Sequence, residues 1–320
     1  MSLTLTNPLR PALLAAARSH RMERIVSGST LTRTLVARFV PGAAETAAVE
    51  AVTRLVQAGR FVSVDYLGED ISHPDEAEQT VQAYLSLLRA YGKLDVRADD
   101  GVRPLEVSIK LSALGQSLPG GEELALTNAR LVCAAAEEVG AWVNVDAEDH
   151  TTTDSTLAIV RELRREFPSL ATVLQAYLHR TEADCRELSG PGSRIRLCKG
   201  AYQEPSEVAF QGRDAVDASY QRCLKVLMDG AGYPMVASHD PRMVEAAQAY
   251  ATEAGRGHAE FEIQMLYGIR DAEQTRLVAD GVHVRTYVPF GDDWYGYFMR
   301  RLAERPANLL FFLRSLLTRS

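Results

Sequence analysis

Hydrophobic and polar positions along the chain follow two alternating periods. Short runs rich in β-branched residues recur eight times from residue 60 onwards, and stretches with apolar residues at helical spacing separate them. The runs are RFVSVDY, LEVSIKL, AWVNVDA, ATVLQAYL, RIRLCKG, PMVASHD, FEIQML and VHVRTYVPFG. The intervening stretches, such as DEAEQTVQAYLSLLRAYG and PRMVEAAQAYATEAG, commonly end at glycine. This alternation predicts an α/β fold, a closed parallel (β/α)8 barrel with a helix after the eighth strand.

The first 60 residues show helical patterns alone: NPLRPALLAAARSH, LTRTLVARFV and AAETAAVEAVTRLVQAG. We therefore divide the chain into an N-terminal helical arm over residues 1–45 and a barrel over residues 46–320. An open doubly wound sheet is the alternative architecture. It would normally carry a glycine-rich nucleotide turn, and no GxGxxG follows any of the eight runs. The closed barrel is therefore favoured.

Composition limits the class of protein. The chain has 320 residues, 46% hydrophobic and 24% charged, which suffices for one large core. Its net charge is -7 and it has no long run of like charges, so we expect no nucleic-acid partner. Four isolated cysteines and the lack of a secretory pattern favour a cytoplasmic location. The final LLFFLRSLLTRS predicts a helix packed on the body, with peripheral membrane contact as the alternative.

Polar residues gather where the predicted strands end, which is where (β/α)8 enzymes build their active sites. For any one of these residues, a structural role in a buried pair inside the barrel is about as expected as a functional role. Taken together, they favour a functional site. Several cations, with no metal-ligand motif and no GxSxG elbow, indicate a site for a carboxylate or a phosphate and no metal. The residues are Lys110, Asp146, Gln175, Arg196, Lys199, Gly200, Tyr202, Ser238, His239, Asp240, Glu262, Gln264, Arg285 and Tyr287.

The stretch YGYFMRRLAER follows the eighth run and predicts a helix. Tyr297, Arg300, Arg301 and Glu304 share one side of it. Such spacing alone more often marks a solvated, ion-paired helix surface, with an anion clamp as the alternative.

Six motifs, taken in order, resemble the proline dehydrogenase family of flavoenzymes over residues 60–310: VSIKLSALG, VNVDAEDH, RLCKGAY, VASHD, FEIQMLYG and YVPFGDDWYGYFMRRLAE. The last block is the most specific, and the N-terminal arm carries no comparable signal. The resemblance implies a distorted barrel that holds FAD without a covalent bond. The implied reaction oxidises L-proline to Δ1-pyrroline-5-carboxylate by hydride transfer to flavin N5, with electrons passing to a quinone. We expect the stand-alone enzyme, with a separate pyrroline-5-carboxylate dehydrogenase downstream.

The resemblance also implies which residues bind the substrate. Lys110, Arg300 and Arg301 would hold the carboxylate of proline, since guanidinium groups suit a planar carboxylate. Glu304 would offset their charge and fix Lys110. Asp146 matches the family's catalytic aspartate, with an orienting role rather than that of a base. The pocket walls implied in the same way are Tyr202, Leu266, Tyr287 and Tyr297.

For the cofactor, the resemblance implies that Arg196 lies near flavin N5 as a second catalytic residue, where its charge stabilises the reduced ring. In YLGED, Glu69 resembles a lid acid that pairs with the first arginine, and the adjacent Asp70 is an alternative. The other implied flavin contacts are Ala147, Gln175, Lys199, Gly200, Ala201, Ser238 and His239.

With this constellation, the charged face of the last helix is interpreted as an anion clamp. A cation-rich pocket also favours the neutral amine of proline, so no strong protein base is expected. Three alternatives stay open. A barrel aldolase would use Lys110 or Lys199 as a Schiff base, a methylenetetrahydrofolate reductase-like barrel would bind flavin but ignore proline, and a binding module would catalyse nothing.

Overall fold

A closed barrel of eight parallel strands forms the centre of the molecule in this computed structural model. The structure describes residues 36–68, 71–96 and 101–304, the last five as backbone only. Each strand is hydrogen-bonded to the next, and the eighth is hydrogen-bonded to the first. The expected (β/α)8 architecture is confirmed. The strands are β1 (Phe61–Tyr66), β2 (Leu105–Ile109), β3 (Trp142–Val145), β4 (Ala171–Gln175), β5 (Arg194–Cys198), β6 (Tyr233–Ala237), β7 (Glu262–Leu266) and β8 (His283–Phe290).

Helices surround the strands and follow them in chain order. One helix precedes β1, one follows each strand, and all lie within the part of the chain that the structure describes. They are α1 (Glu45–Gln57), α2 (Pro74–Tyr91), α3 (Gly121–Glu138), α4 (Thr153–Leu163), α5 (Thr181–Leu188), α6 (Arg213–Asp229), α7 (Pro241–Glu253), α8 (Asp271–Ala279) and α9 (Trp294–Glu304).

Strand β2 shows how the sequence builds two cores. Its apolar residues Leu105, Val107 and Ile109 join the hydrophobic layer between strands and helices. Glu106 and Ser108 point the other way and contact Arg194 and Arg196 of β5 inside the barrel. Each buried aliphatic side chain contributes roughly 1.5–3 kcal/mol to folding. The alternation therefore places apolar side chains outside and polar side chains inside the barrel.

The turn from β6 into α7 is determined by its own residues. Asp240 is the N-cap of α7 and accepts a hydrogen bond from the backbone N–H of Arg242 at 3.2 Å. Pro241 occupies the first helical turn, where a missing backbone N–H costs nothing. The cap holds Asp240 at the carboxyl end of the barrel.

The described part of the N-terminal arm packs on the barrel. Val36, Phe39 and Val40 are buried, and the ring centroid of Phe39 lies 6.2 Å from that of Phe298 in α9. Because residues 1–35 lie outside the described residues, the division of the chain near residue 45 stays a prediction.

Among the described residues, no helix is both long enough and apolar enough to span a bilayer. The apolar tail at residues 309–320 lies outside them, so its packing or membrane contact stays a prediction.

Candidate active site

A cavity of about 550 Å³ opens at the carboxyl ends of the strands, within the size range of ligand pockets. All the residues with a role implied by the family resemblance whose side chains are described line it: Lys110, Asp146, Ala147, Gln175, Arg196, Lys199, Gly200, Ala201, Tyr202, Ser238, His239, Leu266, Tyr287 and Tyr297. The structure therefore brings these residues together, while their individual roles stay predictions.

Asp146 is a carboxylate of the cavity that accepts hydrogen bonds at both oxygens. Its Oδ1 accepts from Ser108 Oγ at 2.7 Å, from Asn144 Nδ2 at 2.9 Å and from Arg196 Nη1 at 2.7 Å. Its Oδ2 accepts from the Tyr287 hydroxyl at 2.9 Å. Donors therefore converge on both oxygens and fix the orientation of the carboxylate. This geometry suits an orienting group better than a base that must take up a proton.

Arg196 crosses the interior of the barrel and is almost fully buried. Its Nη2 donates to Glu106 Oε1 at 2.8 Å and to Ser63 Oγ at 3.1 Å. Burial opposes the charge, but the carboxylates of Asp146 and Glu106 outweigh it and raise the pKa of Arg196. Its buried Nε–H has no partner among the described residues. This N–H is therefore the guanidinium donor that remains for a ligand.

Lys110 projects from the end of β2 into an acidic setting. Its Nζ lies 2.7 Å from Asp65 Oδ2 and 3.8 Å from Asp146 Oδ2. It also approaches the Tyr287 hydroxyl at 3.5 Å. Burial, and then the charges of Asp146 and Asp65, raise the pKa of Tyr287 well above its ordinary value, so this phenol stays protonated. Lys110, Asp146 and Tyr287 therefore form one connected group.

Five charged residues meet at the ends of β5 and β6, beside the first turns of α6 and α7. Lys199 Nζ lies 2.9 Å from Asp240 Oδ2 and also contacts Asp217. Arg213 and Arg242 pair with the same two carboxylates. Although burial pushes upward, hydrogen bonds from Arg242 and Lys199 hold the pKa of Asp240 well below its usual value. Three cations against two acids, next to two helix N-termini, make this corner suitable for an anionic group.

Gly200 brings bare backbone to the cavity wall. Its φ is +112°, a conformation that residues with a side chain rarely adopt. A Cβ at this position would lie 2.3 Å from Cδ1 of Tyr177, so the Tyr177 ring occupies the space of a side chain. The Tyr177 hydroxyl donates to Glu204 at 3.2 Å, which fixes the ring. Glycine is therefore required here for close packing against Tyr177 at the cavity wall.

His239 has a defined tautomer when it is neutral. Its Nε2 accepts a hydrogen bond from the backbone N–H of Leu266 at 2.9 Å, so the ring proton lies on Nδ1. Two strands away, at the end of β4, Gln175 Nε2 donates to the carbonyl of Glu148 at 2.7 Å. Both side chains are therefore held in place by backbone groups of neighbouring strands or loops.

Known proteins identify the family. A family profile described as proline dehydrogenase matches residues 48–314. The chain belongs to the proline dehydrogenase family. It is 38% identical over 311 residues to a proline dehydrogenase of Deinococcus radiodurans, covering 96% of this chain and 97% of that protein. It is 37% identical over 286 residues to proline dehydrogenase 1 of Bacillus subtilis, covering 89% of this chain and 92% of that protein.

A solved structure with the same fold is proline utilization A of Bdellovibrio bacteriovorus. The TM-score is 0.78 at 24% identity, over 89% of this chain and 34% of that one. The chain therefore spans about a third of that larger protein and shares its barrel fold. The expected family resemblance is confirmed by these matches.

Glu262 and Arg285 do not line the cavity of this family member, so their inclusion among the strand-end residues is wrong. Glu262 begins β7 and Arg285 is the third residue of β8, so both lie near the amino ends. Arg285 Nε donates to Glu262 Oε1 at 2.8 Å and Nη2 donates to Oε2 at 3.0 Å. This fully buried pair fills the barrel floor.

Some functional candidates cannot be located. The side chains of Arg300, Arg301 and Glu304, and all of Glu69 and Asp70, lie outside the described residues. Only the backbone of α9 continues through residues 300–304, one turn beyond Tyr297, which lines the cavity. The clamp and the lid stay predictions.

The described cavity walls carry no surplus of positive charge. Their ionised side chains are three bases and three acids: Lys110, Arg196, Lys199, Asp65, Asp146 and Asp240. The surplus expected from the sequence therefore depends on Arg300 and Arg301. In the described ranges, no cluster of three or more histidine, cysteine, aspartate or glutamate residues could hold a metal ion.

Five further residues line the cavity but are not predicted from the strand ends. The first is Asp65, the partner of Lys110, which lies within the run FVSVDY rather than after it. Its signal is the period of two, because Ser63 and Asp65 are the two polar residues of an otherwise apolar strand. The others, which carry no such signal, are Val173, Cys198, Ala237 and Met265.

Proposed function

We propose that this chain oxidises L-proline to Δ1-pyrroline-5-carboxylate, with non-covalently bound FAD in the cavity and a quinone as the final electron acceptor. The observation that carries the proposal is the connected group of Lys110, Asp146, Arg196 and Tyr287 at the barrel mouth, in a chain of the proline dehydrogenase family.

The cavity walls fit a flavin in two respects. Arg196 has a buried N–H without a partner among the described residues, and the corner around Lys199 suits phosphate groups. A bound flavin would supply the oxidant that takes a hydride from the substrate. In this proposal Arg196 offsets negative charge on the cofactor ring, and Lys199 and His239 hold its polar tail.

The substrate would be held by its carboxylate and by its ring. Lys110, kept in place by Asp65, would contribute one cation to the carboxylate site, and Arg300 and Arg301 would contribute the others. Tyr287, Tyr297 and Leu266 would enclose the ring. Glu304 and the lid acid Glu69 belong to the same proposal.

No residue needs to act as a strong base. Asp146 already accepts from several donors, and the positive charge that Arg300 and Arg301 would add lowers the pKa of a bound amine, so proline can bind with its nitrogen neutral. The chain then contributes orientation, exclusion of water and charge complementarity rather than proton abstraction.

The lysine aldolase alternative is less well supported. A Schiff base needs a lysine amine that is free to attack a carbonyl, whereas Lys110 is ion-paired with Asp65, and Lys199 with Asp217 and Asp240.

Spectroscopy tests the function directly. The purified protein should absorb as oxidised flavin and bleach without oxygen when L-proline is added, but not when D-proline is added. The product should react with o-aminobenzaldehyde, which traps pyrrolines, and a soluble quinone should restore the flavin absorbance. Protein without flavin, or flavin that L-proline does not reduce, would overturn the proposal and leave a reductase-like or binding role.

We place the protein in the cytoplasm, with the tail LLFFLRSLLTRS as a peripheral membrane contact near the quinone pool and with a separate pyrroline-5-carboxylate dehydrogenase as consumer of the product. Co-flotation of the full chain with anionic vesicles, lost when Phe311 and Phe312 are changed to serine, tests the membrane contact.

A further inference from the structure

Glu106 joins two arginines of the barrel interior through one carboxylate. Its Oε1 accepts from Arg196 Nη2 at 2.8 Å, and its Oε2 accepts from Arg194 Nη2 at 2.6 Å. The glutamate side chain is completely buried. It does not line the cavity, whereas Arg196 does. Glu106 therefore contacts the site only through Arg196.

Arg194 is held by an aromatic ring as well as by Glu106. Its guanidinium lies 3.5 Å from the ring centroid of Trp142, and its Nη1 donates to the carbonyl of Ser169 at 3.4 Å. With Arg194 fixed, the Glu106 carboxylate has one oxygen left for Arg196. The Glu106 carboxylate, Ser63 and Asp146 together fix the plane of the Arg196 guanidinium. Its Nε–H is then left for a ligand.

Charge in the barrel interior is balanced in two groups. We define the floor cluster as Glu106, Arg194, Glu262 and Arg285, and the mouth cluster as Asp65, Lys110, Asp146 and Arg196. Each contains two acids and two bases. Glu106 connects the clusters, because it alone among these acids contacts an arginine of each. In a poorly solvated interior, a change of one charge here is weakly screened.

We propose that Glu106 is a positioning residue that sets the orientation and net charge around Arg196, and through Arg196 the reduction potential of the bound flavin. The inference rests on the proposed function and adds a residue that touches neither substrate nor cofactor.

The direction of the effect follows from charge. Reduced flavin is more negative than oxidised flavin, so additional positive charge nearby favours reduction. Glu106→Gln keeps the shape but removes a negative charge, and the potential should rise. Arg194→Met removes a positive charge while its chain can still pack on Trp142, and the potential should fall. The double variant restores the balance and should return towards the wild type.

The experiment equilibrates each flavin-containing variant with a reference dye in the absence of oxygen. Each single substitution should change the ratio of reduced to oxidised flavin at least tenfold, in opposite directions, which is about 30 mV for a two-electron couple. In the double variant, the ratio of reduced to oxidised flavin should lie within about threefold of the wild-type ratio, which is a shift in potential of under about 15 mV. Thermal unfolding is measured in parallel, since a merely structural role lowers stability without moving the potential in opposite directions.

The outcomes separate the inference from the proposed function. A wild type without flavin overturns the proposed function. A wild type reduced by L-proline whose potential is unmoved by Glu106→Gln, or moved in the same direction by both single variants, overturns the inference alone. If Glu106→Gln does not fold, two other variants test the inference. Arg194→Met should lower the reduction potential, and the charge-conserving Glu106→Asp should leave it close to that of the wild type.

Discussion

The floor and mouth clusters use the same kinds of side chain in the same barrel, but they differ in whether they reach the cavity. In the floor cluster, Arg285 and Glu262 form a two-pronged pair, and both are fully buried. Arg194 of the floor and Arg196 of the mouth each have a buried Nε–H without a partner among the described residues. Of these two arginines, only Arg196 lines the cavity. Position along the strand therefore decides whether such a donor can serve a ligand.

The largest effect is expected from the floor cluster. Glu262→Ala leaves Arg285 buried without its carboxylate, and breaking such a pair costs about 3–5 kcal/mol. Denaturant unfolding monitored by circular dichroism measures the loss. The apolar pair Glu262→Leu with Arg285→Met is the control, and it should recover much of the stability. Equal losses in the single and double variants would contradict the pairing argument.

Acid should weaken the junction between the clusters. Burial alone would raise the pKa of Glu106, but the charges of Arg285, Arg194 and Arg196 lower it to about 2. Its folded-state pKa therefore lies below the unfolded value of about 4.3, so its stabilising contribution is complete above that pH and is lost as pH falls towards 2. The contribution is at most about 3 kcal/mol.

Unfolding free energies measured from pH 6 to pH 2.5 check this junction. Wild type should lose stability more steeply than Glu106→Gln, which lacks the titrating group. Parallel curves for the two proteins would show that Glu106 does not carry the acid sensitivity.

In the mouth cluster the effect should appear in catalysis. Asp146→Asn introduces an amide donor where Ser108, Asn144 and Arg196 all donate to one oxygen. Hydrogen bonds to a charged group are worth about 1.5–3 kcal/mol, so kcat/KM for L-proline should fall about tenfold to a hundredfold. Stopped-flow reduction of the flavin measures it. Unchanged reduction would place the orienting role elsewhere.

The smallest effect is expected at the edge of the mouth cluster. Tyr287→Phe removes one donor to Asp146 Oδ2 and keeps the ring that lines the cavity. Only one of the donors to Asp146 is lost, and a typical hydrogen bond is worth about 0.5–1.5 kcal/mol, so the rate of flavin reduction should fall about threefold to tenfold. A decrease as large as that of Asp146→Asn would mean that the hydroxyl itself contacts the substrate.

Much of the cavity could be predicted from sequence because its residues lie where a strand pattern changes to a helix pattern. The change from period two to helical spacing locates each strand end, and barrel geometry brings those ends together. Asp146 and Lys199 are found this way, since both directly follow β-branched runs. The motifs at the same ends also carry the family resemblance.

The rest depends on depth and on partners, which a periodic pattern does not encode. A period of two shows which residues face the barrel interior, but not how far along the barrel axis each one lies. Arg285 and Tyr287 are alternate residues of β8, so the pattern does not separate the floor residue from the mouth residue. The neighbours of Glu106 come from strand β5, close in the closed barrel but 88 and 90 residues away in sequence. Such pairings follow only from the folded arrangement.

Closure of the barrel joins distant parts of the described chain. Strand β1 pairs with β8 along six residues, and Arg285 donates to the carbonyl of Val62, 223 residues earlier. During synthesis the first strand therefore emerges long before this partner exists, and its β8-facing edge stays open until the last strand has left the ribosome. Nascent chains halted before β8 should consequently engage chaperones or aggregate, and release of the final strand should be the step that ends this exposure.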